Sequence, residues 1–401
     1  MSFGSRQAAR AWWPLTGSTT LASIALGVFL AGRASAGSYP ETALSIALST
    51  PPELVDASSL LFQLPSRAGI SPTQLFAFTT SPYYYYFDSS TNTNSLGIVG
   101  QTHGQALFVL AQPSFLFAAQ PALQAGWGGA WRTLRLGAAA RASKSEVESS
   151  RFQGGSSTSW STDVMQQESW EASVGLGFGS DRFDLDVAVD LQRFDASSEQ
   201  SRSGYDTLTV NVESEDEVSA GISGRFLARF GEVELTGAGG WSRMDGGITG
   251  VAVQSGGRDS VTASRMFENW FGGVAVHFPT ARIDRVTIAA HWSHREMAPE
   301  YSTFTKSIQA RRQLAISVQE QPWRMLHFQA GISLRYEDQA TEQGYDSYYD
   351  DIWYETKTTA LRADFSWGVS YSWKMFEGRA ALRETLPIQD LFAALDFFVR
   401  L

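Results

Sequence analysis

The chain of 401 residues contains no cysteine, so an exported form would have to close its fold without disulfides. Past residue 36 it also lacks any run approaching the roughly 18 unbroken apolar residues of a membrane-spanning helix, and none is expected there. Positive charge is in deficit, 31 Lys and Arg against 41 Asp and Glu for a net charge of −10, which argues against a nucleic-acid partner. In excess are glycine and aromatic residues, 36 Gly with 13 Trp, 13 Tyr and 25 Phe. That mixture suits strands needing interface anchors and close backbone approach.

The pattern that organises the chain is clearest at 360–373. Leu361, Ala363, Phe365, Trp367, Val369, Tyr371 and Trp373 are apolar or aromatic, whereas Arg362, Asp364, Ser366, Gly368, Ser370 and Ser372 are small, polar or charged. A period of two puts the sets on opposite faces of one strand. Strands of soluble sandwiches usually run about five or six residues, whereas a strand tilted by about 45° needs about 9 to 11 to cross hydrocarbon with its apolar face outward. This stretch is long enough to cross, and it is read as lipid-facing.

Residues 1–36 have the make-up of an export signal: Arg6 and Arg10, the apolar run from Leu21 to Leu30, and Ala34-Ser35-Ala36 before Gly37. Residues 37–103 differ from all that follows. Pro51, Pro52, Pro65, Pro72 and Pro82 speak against a central-strand role. The apolar patches Leu60, Leu61, Phe62 and Tyr83, Tyr84, Tyr85, Tyr86 would be stranded in water on a loose tail. An N-terminal plug in a lumen, or a periplasmic segment at its mouth, is expected here, with the barrel at 104–401.

Strand patterns follow in pairs at 107–117, 123–131, 134–144, 170–178, 183–192, 218–230, 233–243, 270–278, 286–294, 306–319, 326–337, 360–373, 377–386 and 391–401. Tight turns, as at Arg132, Gly231, Pro279 and Pro322, alternate with longer loops near 145–166, 196–216, 244–260 and 338–353. Outer-membrane barrels show that asymmetry, with short turns on the periplasmic side. The fold expected is all-β, a closed antiparallel transmembrane β-barrel of about 14 strands, with 12 or 16 as alternatives if 107–117 or 377–386 is miscounted. The last pattern, with Leu391, Ala393, Leu395, Phe397, Val399 and Leu401 on one face, resembles the C-terminal insertion signal of Gram-negative outer-membrane proteins. It departs from that signal in ending on Leu401 rather than an aromatic residue. The resemblance, to porin-like barrels as an architecture, implies the outer membrane as location, and its lipid bilayer and the barrel-assembly machinery as partners.

Alternation also assigns charges to the lumen. Glu171, Asp184, Asp186, Asp190, Glu217 and Glu234 form an acidic arc on the earlier strands, diluted by Arg135, Arg141, Arg225 and Arg229. Arg285, Arg295, Arg311, Arg335, Arg362, Arg379 and Arg383 form a basic arc on the later ones. Such arcs would either orient solutes across the channel, as at the constrictions of general porins, or pair with each other and stiffen the wall. The function expected is passive diffusion of small polar solutes. The alternatives are a carrier of hydrophobic compounds resembling the long-chain fatty-acid channels, and a structural or adhesive barrel acting through its loops. No enzyme and no cofactor are expected. His291-Trp292-Ser293 has the His-x-Ser spacing of outer-membrane phospholipases, but their following Asn-Gly is His294-Arg295 here. His291 and His294 fall on opposite strand faces and cannot share a metal, while Asp346, Asp350 and Asp351 could hold calcium but are read as a solvated acidic loop.

Overall fold

The computed structural model describes residues 41–56, 59–83, 93–112, 122–153, 159–203, 208–254, 257–299, 305–346, 351–387 and 390–401. The export signal expected at 1–36 lies outside them. Among the described residues no helix is long and apolar enough to cross a membrane, and the crossing falls to strands. Ten of them are tall: β5 (Leu134–Gln153), β6 (Ser159–Gly179), β7 (Phe183–Ser203), β8 (Leu208–Phe230), β9 (Val233–Gln254), β10 (Gly257–Phe278), β11 (Arg285–Pro299), β12 (Thr305–Trp323), β13 (Leu326–Asp346) and β14 (Asp351–Trp373). A low wall completes the ring: β15 (Phe376–Leu386), β16 (Asp390–Arg400), β1 (Gln74–Tyr83), β2 (Thr93–Thr102), β3 (Gln105–Gln112) and β4 (Ala122–Trp131). Each strand pairs antiparallel with both neighbours, and β1 meets β16 to close the barrel.

The count is therefore 16 rather than about 14, and the two additional strands are β1 and β2. The barrel begins at Gln74, inside the stretch expected to stand apart from it, and Tyr83 belongs to a wall strand. Pro82 is tolerated because the β1–β2 ladder runs from Gln74↔Val99 to Thr80↔Thr93 and stops short of it. The expected loops 145–166, 196–216, 244–260 and 338–353 are largely strand as well, since β5 to β10, β13 and β14 continue well beyond the membrane-crossing length. Above the bilayer a strand needs no apolar face, so it pairs without alternating.

Tight turns gather at one end. At β2–β3 both turn residues have positive φ, His103 at 50° and Gly104 at 75°, as a two-residue turn matching the strand twist requires. Outside the wall, Trp131, Phe178, Phe230, Trp323, Trp373 and Phe376 are exposed near the turn end. Trp170, Trp241, Trp270 and Trp292 are exposed further along the strands. Between them Val174, Val189, Ile222, Leu314, Ile316 and Phe365 are exposed too. An apolar band bounded by aromatic girdles around the outside of a closed sheet fits the outer membrane and would be unstable in water. The chain is an outer-membrane β-barrel.

Inside the ring, residues 41–56 and 59–72 pack against the inner wall. They form α1 (Ala43–Ala47), α2 (Pro52–Val55) and two short 3₁₀ turns, η1 (Ser59–Phe62) and η2 (Pro65–Ile70). Thr42 caps α1 reciprocally with Ser45. Helices this short do not hold by themselves; burial against the wall holds them.

Candidate functional site in the lumen

The inner segment touches the wall piece by piece around the ring. α1 meets β13 to β16, α2 meets β9 and β10, and η2 meets β2 to β7. Leu60 and Leu64 cover Ala188 of β7, while Leu54 packs with Ala275, Ala289 and Ala315. The wall is relieved where the segment comes nearest. A Cβ on Gly128 would lie 2.8 Å from the Gly69 nitrogen, and one on Gly331 would lie 2.6 Å from the Leu48 carbonyl. Gly331→Val is thus expected to unseat α1 at a cost of about 1 to 3 kcal/mol, read as a lower thermal midpoint of the purified barrel. An unchanged midpoint would mean that the segment gives way without loss.

On β1, β3 and β16 of the low wall part of the inner face is apolar. Phe76 and Phe78 of β1, Phe108 and Leu110 of β3 and Phe398 of β16 cluster with Leu61 and Phe62 of the segment. Ring centroids of Phe62 lie 6.5 and 6.3 Å from those of Phe76 and Phe78, and Phe78 lies 5.7 Å from Phe398. Of the expected plug residues, Leu61 and Phe62 sit here, Leu60 lies on Ala188 of β7, Tyr83 is in β1, and Tyr84, Tyr85 and Tyr86 lie outside the described residues.

Much of the wall charge expected in the two arcs is addressed to the segment. Arg67 places Nε 2.6 Å from Asp186 and Nη2 2.9 Å from Asp184. Arg135 of β5 also pairs with Asp184 and, at 3.0 Å, with Asp186. Ser66 donates its hydroxyl to Asp186 at 2.8 Å. On the opposite side the segment is acidic. Asp56 meets Arg379 at 3.0 Å, Glu41 meets Arg383 at 3.3 Å, and Glu53 lies 3.4 Å from His291. Arg225 donates to the Glu53 carbonyl at 2.9 Å, and the Ala43 amide donates to Asp396 at 2.9 Å. The base of the segment thus faces the acidic wall and its acids face the basic wall, a complementarity that buried charges require.

The rest of the arcs divides in two. Glu171 and Asp190 line a small recess with Arg141, whose Nη2 donates to Gln112 at 2.6 Å. Glu217 is fully buried on β8, while Glu234 and Arg285 open β9 and β11 near the turn end. Arg311, Arg335 and Arg362 converge on one carboxylate, Glu337, at 3.5, 3.0 and 3.4 Å, and Arg335 also reaches Asp364 at 3.6 Å. Arg295 lies over the Phe267 ring at 5.9 Å. Between this patch and the segment lies a cavity of about 460 Å³, bordered by β10 to β13 and the α1–α2 connection. Arg295, Arg311, Arg383, His291 and Ser293 all reach it.

Sequence reasoning found the wall charges and missed their partners Arg67, Asp56, Glu53 and Glu41. The available signal was that these are the charged residues of an otherwise apolar and proline-rich stretch, 41–72. Of the calcium candidates, Asp350 lies outside the described residues, and Asp346 and Asp351 end β13 and begin β14.

No family model matches the chain, and no curated protein does. Among solved structures it is similar to the Ralstonia pickettii toluene transporter TbuX, with TM-score 0.43 and 11% identity over 91% of this chain and 99% of that one. A FadL homologue of Pseudomonas aeruginosa gives 0.44 and 10% over 85% and 94%, and the Pseudomonas putida toluene transporter TodX gives 0.41 and 11% over 90% and 96%. At these values no residue role and no cargo carries over.

Proposed function

We propose that this outer-membrane barrel is a transporter of hydrophobic compounds whose lumen is closed by residues 41–72 acting as a plug. The observation carrying the cargo reading is the inward ring cluster of Phe76, Phe78, Phe108 and Phe398, covered by Leu61 and Phe62. A water-filled pore for polar solutes turns polar side chains inward and has no use for such a wall. A displaced segment would uncover an apolar surface on which an apolar compound gains roughly 25 cal/mol for each Å² removed from water. The plug reading is supported by the contacts of the segment with nearly every strand and runs against an open passive pore. The polar-solute reading keeps one point in its favour, the charged cavity beside Arg295 and Arg311.

Two assays on the full chain in vesicles separate these readings. Naphthalene should equilibrate across the wall faster than in protein-free vesicles, while liposome swelling in arabinose should stay at the background rate. Swelling at the rate of an open pore would sink the plug. Naphthalene entry no faster than in bare vesicles would sink the hydrophobic cargo.

A further inference from the structure

Once the inner segment has taken its partners from the wall, one pair of wall acids is left short of positive charge. On β7, Asp184 and Asp186 are answered by Arg67 and Arg135. Further along the same strand Asp190 meets no ion pair or hydrogen bond among the described residues. It borders the small recess that it shares with Glu171 of β6. Arg141 of β5 stands opposite Glu171, yet it donates its Nη2 to Gln112 at 2.6 Å. The charged residues around the recess are therefore two carboxylates and one guanidinium that is partly committed elsewhere.

The sheet is shaped around the unanswered carboxylate. Across the ladders Asp190 faces Gly221 of β8, and Gly221 faces Ser242 of β9. A Cβ on Gly221 would lie 2.5 and 2.7 Å from the two Asp190 carboxylate oxygens, so the carboxylate lies across β8 where a side chain would stand, directed toward Ser242. Ser242 is 8% exposed, and its hydroxyl has no hydrogen-bond partner. The side-chain oxygen of Gln63, which enters the recess from the inner segment, is likewise buried without one. Buried polar atoms are rarely left so. We propose that the recess binds a hard cation of single charge, held by the carboxylates of Asp190 and Glu171, the Ser242 hydroxyl and the Gln63 side-chain oxygen. Donors that are all oxygen suit such an ion. One positive charge, added to that of Arg141, balances the two acids; two would leave a surplus in a recess bordered also by Phe62 and Phe271. Its volume of about 30 Å³ takes one ion with little water, since a single water needs about 10 to 15 Å³. A cation there ties Gln63 to β6, β7 and β9 and so adds to the seat of the plug.

Such a site does not depend on what the barrel carries, and its test is separate from both transport assays. Thermal melting of the full chain in a neutral detergent is compared in sodium, potassium, calcium and choline chloride at one ionic strength, which holds screening constant. Sodium or potassium should raise the midpoint by a few degrees over choline and then saturate. Asp190→Asn should abolish that increment by removing the charge, and Gly221→Ala by displacing the carboxylate. Glu234→Gln, at the turn end, should keep it. Equal midpoints in the alkali salts and in choline would overturn the site, as would an increment that survives Asp190→Asn. A response to calcium alone would overturn the single charge. Should neither recess variant fold, sodium-23 line broadening by the unaltered chain decides: broadening that saturates and that potassium reverses supports the site, and none sinks it. A failed site with naphthalene transport intact would leave the proposed function standing.

Discussion

Replacing Arg67 by alanine is expected to release the inner segment from the wall and to open the lumen to ions. The side chain of Asp186 is 0% exposed, and Arg67 holds it at 2.6 Å and Asp184 at 2.9 Å. Removing one partner of a buried pair typically costs about 3 to 5 kcal/mol, because the other charge stays behind in a medium that solvates it poorly. Here the wall keeps Arg135, paired with Asp184 and 3.0 Å from Asp186, so one of the two acidic charges stays answered and the barrel still closes. The loss falls on the seat of η2, which keeps the Ser66 hydroxyl 2.8 Å from Asp186 and the Gln101 amide donating to the Gly69 carbonyl at 2.8 Å, and these bonds are too weak to replace a buried ion pair. In planar bilayers the full-length variant should show discrete conductance steps where the unaltered chain stays silent. Adding Asp186→Asn should recover part of the lost thermal stability, since the two changes touch one network and cannot be additive. Silent bilayers together with an unchanged midpoint would retire the idea of a latch.

How much of this could be read from sequence depended on what each strand face meets. β4 to β15 face lipid on one side and mostly small or polar groups or water on the other, and their alternation marked them, whereas β3 and β16 turn Phe108, Leu110 and Phe398 inward and were marked by outward faces such as Leu107 and Phe397. β1 and β2 went unread because the inner face there is apolar too. Phe76 and Phe78 look into the lumen at 4% and 2% exposure while Leu75 looks outward at 41%. With rings on one side and aliphatics on the other, no period of two survives. The upper halves of the tall strands hid for the opposite reason, being polar on both faces above the bilayer. For the candidate site, alternation gave the side of the wall on which Asp186 or Arg379 stands and nothing about its partner. That partner comes from a segment of short helices and turns whose course is fixed by burial against a wall far away in sequence.

Arginine at Val189 is expected to be the costliest single change on the outer surface. Val189 lies opposite Val174 on β6 and Ile222 on β8, and the three are 51%, 65% and 46% exposed, an apolar patch with nothing packed over it. Its depth follows from its own strand. Phe183 stands at the turn-end girdle, and Arg193, opposite Trp170, pairs with Asp195 at 3.2 Å where the apolar band gives way to charge. Val189 falls between them, near the middle of the hydrocarbon. There a lipid-facing arginine costs about 2 to 4 kcal/mol, because no water or counter-charge reaches it, whereas near the interfaces the figure drops to about 0 to 1. Gln309→Glu makes the comparison, since Gln309 borders the cavity opposite Arg295 and a new carboxylate there meets a cation and water; its effect should stay under about 1 kcal/mol. Reversible urea unfolding of both variants in lipid vesicles measures the difference. A neutral Val189→Arg beside a costly Gln309→Glu would mean that the inner and outer faces have been assigned the wrong way round, and with them the lumen itself.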